Sequence, residues 1–158
     1  MEVHSLEPIL AEHPFFQNMK EEYIELLAGC ATNVKFEAGH FIFRQNDPAD
    51  QFFLIREGRI ALEISAVGME PLEIQTLNKG QVFGWSWLFP PYRWKFDARA
   101  VERTRALALD GKCLRDKCAN DHDLGYDLLQ RFSGVVVERL ENTRIQLLDV
   151  YGAPSVHA

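Results

Sequence analysis

The segment from Phe83 to Arg99 contains the residue types best suited to binding chemistry. It reads FGWSWLFPPYRWKFDAR and includes all three tryptophans of the chain. In one interpretation, the aromatic side chains line a pocket for a small anionic or aromatic ligand, Arg93 or Arg99 supplies positive charge, and the amides of Trp85 and Ser86 form an anion site. In the other, the aromatic side chains fill the protein core, as aromatic residues usually do. The candidate binding residues are Phe83, Gly84, Trp85, Ser86, Trp87, Arg93, Trp94 and Arg99.

Residue types that perform catalysis or bind metals are sparse elsewhere. Cys30, Cys113 and Cys118 form an odd and small set for a disulfide scaffold, so we expect reduced thiols. The five histidines occur singly, without the spacing of a metal site. No GxSxG, Walker or HExxH motif is present. We therefore expect no catalytic residue, no metal ligand and no resident cofactor, and we predict that the chain is not an enzyme.

Length and charge narrow the class of protein. The chain has 158 residues, of which 47% are hydrophobic and 25% charged, as in an average globular protein with one core. We expect one domain over residues 1–158. A net charge of −6 argues against nucleic acid as a partner. The sequence shows neither a signal peptide nor a membrane span, so we expect a soluble, cytoplasmic protein with no membrane partner.

Hydrophobic periodicity divides the chain into three parts. Residues 1–31 have helical spacing, with Ser5 as a candidate cap and Gly29 as the predicted end of the second helix. Residues 32–110 change to short runs of period two separated by turn residues, which predicts a mainly β fold with flanking helices, here a double-stranded β-helix or jelly roll. The predicted strands are 33–36, 41–43, 51–56, 59–65, 72–77, 96–102 and 105–109.

Residues 111–151 return to the helical period, first over 112–119. A second helix of about 30 residues is predicted from Asn120, whose side chain can cap it, to Tyr151, where Gly152 and Pro154 stop it. Its apolar residues fall at steps of three and four, close to coiled-coil spacing. We expect this long C-terminal helix, residues 120–151, to form a homodimer, although the stripe could instead pack on its own domain. The seam consists of Leu129, Phe132, Val136, Leu140, Thr143, Leu147 and Val150.

This order of elements resembles the cyclic nucleotide-binding domain of the catabolite activator family. The stretch FEAGHFIFRQNDPADQFFLIREGRIAL is similar to the first strands of that family, and LNKGQVFGW to the segment that enters its phosphate-binding cassette. The resemblance covers about residues 10–150. It implies that a short helix after Phe83 and Gly84 points its amides at a cyclic phosphate. It also implies a glutamate for the ribose hydroxyl and, nine or ten residues on, an arginine for the phosphate.

The chain departs from the family pattern at both charged positions. Trp85 stands where the glutamate is expected, and Trp94 where the arginine is expected. Arg93 is one residue away, and neighbouring residues of a strand face opposite sides unless a bulge or register shift near Pro90-Pro91 intervenes. We therefore predict a stand-alone regulatory module with an altered cassette, whose output is contact with a protein partner and whose ligand, if any, is a cyclic nucleotide or another small molecule. The alternatives are a genuine cyclic-nucleotide sensor that uses Arg93 and, third, a jelly-roll enzyme of unrecognised type. Nothing in the 158 residues resembles a DNA-reading domain.

Overall fold

The computed structural model describes residues 6–151, so the predicted Ser5 cap and the stop at Gly152 and Pro154 lie outside the described residues. The chain divides into two compact units, one up to Asn120 and one from Asp121 onward. The first unit contains the helices α1 (Glu7–Glu12) and α2 (Glu21–Ala28), a 3₁₀ turn between them (Pro14–Phe16), all the described strands, and α3 (Gly111–Asn120). The second contains α4 (His122–Tyr151).

Within residues 6–151, eight antiparallel strands form two four-stranded sheets, which confirms the predicted mainly β fold with flanking helices. The first sheet has the order β1-β8-β3-β6 and the second β2-β7-β4-β5. Neighbours in each sheet are mostly distant in sequence, as in a jelly roll. The strands are β1 (Ala31–Phe36), β2 (Phe41–Phe43), β3 (Gln51–Glu57), β4 (Arg59–Ile64), β5 (Leu72–Asn78), β6 (Val82–Phe83), β7 (Asp97–Ala100) and β8 (Thr104–Asp110).

Side chains from both sheets meet in one core. Its members are mostly aliphatic and aromatic residues of β3, β4 and β7, together with Phe43, Phe83 and Trp94. Seven of the eight strands match the predicted runs, with ends that differ by a few residues. β6 was not predicted, because two residues carry no periodicity.

Helix ends agree only in part with the sequence. Gly29 ends α2, as predicted, and its amide donates to the carbonyl oxygens of Leu26 and Leu27. The predicted Asn120 cap is wrong, because Asn120 is the last residue of α3. Instead, the Asp121 carboxylate accepts a hydrogen bond from the Leu124 amide at 3.1 Å, so Asp121 caps α4. Among residues 6–151, no helix combines the length and the apolar character that crossing a bilayer requires.

A disulfide joins Cys30 to Cys113, so the expectation of reduced thiols is wrong for these two residues. Cys30 lies between α2 and β1, and Cys113 lies in the first turn of α3. The Asp110 amide also donates to the Cys30 carbonyl oxygen at 2.9 Å, so backbone pairing brings the two segments together. Spacing could not reveal the pair, since the two cysteines are 83 residues apart in sequence.

His13 fixes the corner between α1 and the 3₁₀ turn. Its Nδ1 accepts a hydrogen bond from the Phe15 amide, and its Nε2 lies 3.2 Å from the Ile55 carbonyl oxygen. Because a carbonyl can only accept, Nε2 carries the proton and the ring is neutral. Burial lowers the pKa of His13, although the bond to Ile55 opposes that shift.

The lowered pKa predicts that His13 makes stability depend on pH. Above the ordinary histidine pKa of about 6.5, the neutral ring contributes its full stabilisation. As the pH falls through the lowered pKa, the unfolded chain binds a proton more readily than the folded one, and that contribution is lost. Urea unfolding of wild type and His13→Gln, from about pH 7.5 to about pH 5 so that the range spans the ordinary histidine pKa, would measure this pH dependence. The wild-type free energy of unfolding should fall more steeply, and parallel curves would contradict the assignment.

The disulfide predicts unequal effects of the three cysteines. Cys113→Ser should lower the free energy of unfolding by roughly 2–4 kcal/mol, because the disulfide closes a long loop in the unfolded chain. Cys118→Ser, the matched control on the same helix, should have little effect because Cys118 lies outside the disulfide. Guanidinium unfolding without reductant measures both. A thiol assay on denatured, unreduced wild type should detect one thiol for each chain. Three thiols would show that the disulfide is absent and would contradict the prediction.

Candidate functional site

The candidate site begins where β6 ends. β6 pairs with β3 through Phe83 opposite Phe53, which places Phe83 in the core. Gly84 follows with a φ of +90°, in the left-handed region that favours glycine. A 3₁₀ turn, Ser86–Leu88, then stands where the family resemblance implies a short helix. Trp85 and Ser86 are half-buried. A turn of three residues aligns few peptide dipoles, so an anion site at the amides of Trp85 and Ser86 stays a prediction.

Trp87 anchors this turn to α3. Its side chain is 1% exposed and packs against Gly111, where a Cβ would lie only 2.8 Å from the Trp87 Cβ. Glycine at position 111 therefore permits the close approach. The Arg115 guanidinium donates to the Trp87 carbonyl oxygen at 2.6 Å. These contacts support the core interpretation for Trp87.

Trp94 lies between the two sheets. It is 2% exposed, and its ring stacks on Phe43 with centroids 3.7 Å apart and planes within 7°. The backbone of Trp94 is held at both ends, because its amide donates to Asp47 and its carbonyl oxygen accepts from Asn46. A Cβ on Gly84 would lie 3.0 Å from the Trp94 ring. Trp94 is thus packed against both Phe43 and Gly84.

Only a small cavity remains beside Trp94. Its volume is about 170 Å³, below the roughly 300–1,000 Å³ of pockets for drug-sized ligands. Its lining includes the carboxylate residues Asp47 and Asp50, and no lysine or arginine. The remaining lining residues are Ile42, Phe43, Pro48, Gln51, Phe53 and Trp94.

Arg93 points away from this interior. Its side chain is exposed, and its guanidinium donates to the Asn46 carbonyl oxygen at 3.0 Å. The backbone of Arg93 forms an isolated bridge with Pro48. Arg93 is thus exposed and Trp94 is buried, because neighbouring side chains of an extended segment point to opposite sides.

Arg99 is paired with a carboxylate in the second sheet. Its guanidinium contacts both oxygens of Glu63, with Nη2 to Oε2 at 2.8 Å and Nε to Oε1 at 3.3 Å. The hydrogen bond to Glu63 raises the pKa of Arg99. A two-point guanidinium–carboxylate contact satisfies much of the charge of Arg99, so a phosphate would have to compete with Glu63.

The structure therefore brings together part of the predicted set. The core beside the small cavity contains Phe83 and Trp94, and Gly84 packs on the Trp94 ring. Trp87 packs instead against Gly111 at the start of α3. Arg93 and Arg99 do not line that cavity. Sequence reasoning missed Phe43 and Phe53, which the structure places in the core with Trp94. Among residues 6–151, no group of three or more His, Cys, Asp or Glu side chains could hold a metal ion.

Comparison with protein families and curated proteins gives matching results. The sequence profile described as "Cyclic nucleotide-binding domain" matches residues 33–121. A CRP-like cAMP-activated global transcriptional regulator of Mycobacterium tuberculosis is 25% identical over 145 residues, 92% of this chain and 63% of the regulator. A cGMP-dependent protein kinase of Caenorhabditis elegans is 37% identical over 86 residues, 53% of this chain and 11% of the kinase. The chain thus spans less than two thirds of either relative.

A solved structure shows the same fold. The cyclic nucleotide-binding domain from Methylobacillus flagellatus superposes with a TM-score of 0.80 over 94% of this chain and 88% of that one. The two sequences are 16% identical, so this likeness concerns the fold alone.

Proposed function

The chain belongs to the cyclic nucleotide-binding domain family, and from that premise we propose that it is a regulatory module whose cassette does not hold cyclic AMP or cyclic GMP in the usual way of the family. The proposal depends above all on Trp94. The family resemblance places this residue at the position of the phosphate-binding arginine, and its buried ring stacks on Phe43 between the sheets. A nucleotide that entered there would have to displace the Trp94 ring.

The charges around the cassette support the same proposal. A cyclic phosphate needs a cation or several aimed amides. Arg93 is exposed and Arg99 contacts Glu63, while the cavity beside Trp94 is lined by Asp47 and Asp50. Two carboxylates would repel a phosphate rather than bind it. Trp85, at the position of the glutamate, cannot accept a hydrogen bond from a ribose hydroxyl.

The alternative is a cyclic-nucleotide sensor that uses Arg93. The guanidinium would have to release the Asn46 carbonyl oxygen and turn inward past Trp94. A ligand could drive such a change only by the difference in its affinity for the two conformations. We favour the first proposal because the inward position is already filled by a packed ring. The third interpretation, an enzyme, has no support from a catalytic constellation among the described residues.

We further propose that α4 pairs with the same helix of a second chain. A 30-residue helix is about 45 Å long. Ten of its large hydrophobic residues are exposed, which is more than scattered surface exposure accounts for. Five of these exposed residues belong to the predicted seam: Leu129, Val136, Leu140, Leu147 and Val150. A symmetric partner would cover them at the steps of three and four that helix pairs require.

Calorimetry with cyclic AMP and cyclic GMP at millimolar concentrations tests the cassette proposal. Wild type should show no saturable heat. The variant Trp85→Glu/Trp94→Arg, which restores both residues of the family pattern, should gain measurable binding, since it supplies both charged contacts and empties the space of the ring. Trp87→Phe is the control, because it alters a tryptophan of the same turn outside the cavity. Micromolar binding by wild type would overturn the proposal, and its loss in Arg93→Ala would establish the alternative.

Light scattering at high micromolar concentration tests the helix pair. The wild type should have about twice the mass of the 18.2 kDa chain. Leu140→Glu/Leu147→Glu should give a monomer, because two carboxylates at the seam are costly to bury. Gln146→Glu adds charge to the same exposed part of the helix outside the seam and should leave the dimer intact. A wild-type monomer at these concentrations would refute the pairing.

A further inference from the structure

A second cavity lies on the other side of the first sheet, away from the cassette. Its volume is about 550 Å³, within the range of small-molecule sites. One wall is apolar and consists of Ile9 and Pro14, and the fully buried Ile55 lies beneath it. Three cationic residues, Arg56, Lys79 and Arg105, also line it, opposed by the two carboxylates of Glu12 and Glu57. The cavity therefore combines an apolar wall with an excess of positive charge.

The floor of this cavity is fixed by hydrogen bonds. The Ile55 carbonyl oxygen accepts from both the Gly80 amide at 3.1 Å and His13 Nε2 at 3.2 Å. Pro14 packs on Gly80, since a Cβ there would lie 3.5 Å from the Pro14 ring. These contacts join the 3₁₀ turn, the end of β3 and the turn before β6. The apolar wall is consequently preformed, which lowers the ordering cost of binding.

Strand register concentrates positive charge at the same end of the sheet. Lys35 of β1 lies directly opposite Arg105 of β8, and Arg105 lies opposite Glu57 of β3. Like charges directly opposite each other destabilise a sheet. Glu57 offsets this only weakly, because its oxygen is 4.0 Å from Arg105 and both side chains are about half exposed. An anion bound between these cations would relieve their repulsion.

A neighbouring cavity of about 400 Å³ continues this charged row. It shares Glu57 and Arg105 with the first and adds Lys35 and Arg103. Together the two cavities are lined by five cationic residues and two carboxylates, although the whole chain carries a charge of −6. Among the described residues, Lys79 has no ion pair, and Arg56 donates to the Asn33 side chain with one of its nitrogens. Several N–H donors thus remain for a ligand.

We propose that the cavity between the 3₁₀ turn and the first sheet binds a small organic phosphate, with its apolar group against Ile9 and Pro14 and its phosphate among Arg56, Lys79 and Arg105. Three cations suit a dianion better than a single carboxylate. The apolar wall distinguishes such a ligand from a bare inorganic anion. This site is separate from the cassette, since none of its lining residues belongs to the segment from Phe83 to Arg99.

NMR titration of the ¹⁵N-labelled chain with phenyl phosphate tests this site, and the Gly80 amide is the reporter. We expect saturable chemical-shift changes at millimolar phenyl phosphate. The changes should be weaker with inorganic phosphate, which lacks the apolar ring, and with phenol, which lacks the phosphate. Lys79→Ala/Arg105→Gln should weaken binding about tenfold, because charge-assisted hydrogen bonds are lost. Added salt should weaken it further.

Lys95→Ala/Lys112→Ala is the matched control, since it removes two exposed cations outside the cavity. It should leave the affinity for phenyl phosphate unchanged. Weaker binding in this control and not in Lys79→Ala/Arg105→Gln would place the anion near the cassette and overturn the proposal. So would the absence of saturable shifts at Gly80. Thermal melts of each variant verify that it remains folded. Because the cavity shares no lining residue with the segment from Phe83 to Arg99, a negative result for phenyl phosphate leaves the cassette proposal unaffected.

Discussion

The stacking of Trp94 on Phe43 is the contact on which the interior of the barrel depends. The ring of Trp94 comes from the segment after the cassette turn and packs on Phe43 of the second sheet and on Gly84, which follows β6 of the first sheet. Phe83 stacks in turn on Phe53 in the first sheet, with centroids 4.9 Å apart. Burial of one such aromatic side chain, about 150–250 Å², stabilises the fold by roughly 4–6 kcal/mol before entropy is counted.

The family resemblance places Trp94 where an arginine is expected, and a tryptophan at that position requires a different environment from an arginine. A buried guanidinium needs an anionic partner, and in its absence the cost of desolvation is several kcal/mol. A tryptophan needs only contact, which Phe43 and Gly84 provide. This part of the interior is therefore filled by packed side chains. The binding free energy of a nucleotide would have to exceed the cost of losing the Trp94–Phe43 stacking and of exposing the Trp94 ring. The carboxylates of Asp47 and Asp50 would repel its phosphate.

Local sequence patterns predicted most of the strands but not the partners of side chains. Period-two runs and turn residues predicted seven strands and the end of α2 at Gly29. The pairing of Cys30 with Cys113 depends on tertiary proximity, and the pairing of Arg99 with Glu63 joins neighbouring strands 36 residues apart. The burial of Trp94 agrees with one of the two interpretations of the aromatic residues, core filling, whereas its stacking partner was not predicted. Registers and long-range contacts are decided by the whole fold, so single-residue patterns contain little information on them.

The contacts of α3 show what a regulatory change within the first unit would have to overcome. Gly111 at the start of α3 packs on Trp87 and donates its amide to the Asp50 carbonyl oxygen at 2.8 Å. Arg115 donates to the Trp87 carbonyl oxygen, and the Cys30–Cys113 disulfide attaches the first turn of the helix to the end of α2. The cassette turn and α3 are therefore linked by packing and by the Arg115 hydrogen bond, while the Asp50 hydrogen bond and the disulfide hold α3 to the rest of the first unit. Movement of α3 away from the turn would break at least the Arg115 hydrogen bond, worth about 1–3 kcal/mol because its donor is charged. A partner could shift that equilibrium only if its affinities for the two arrangements differed by a comparable free energy.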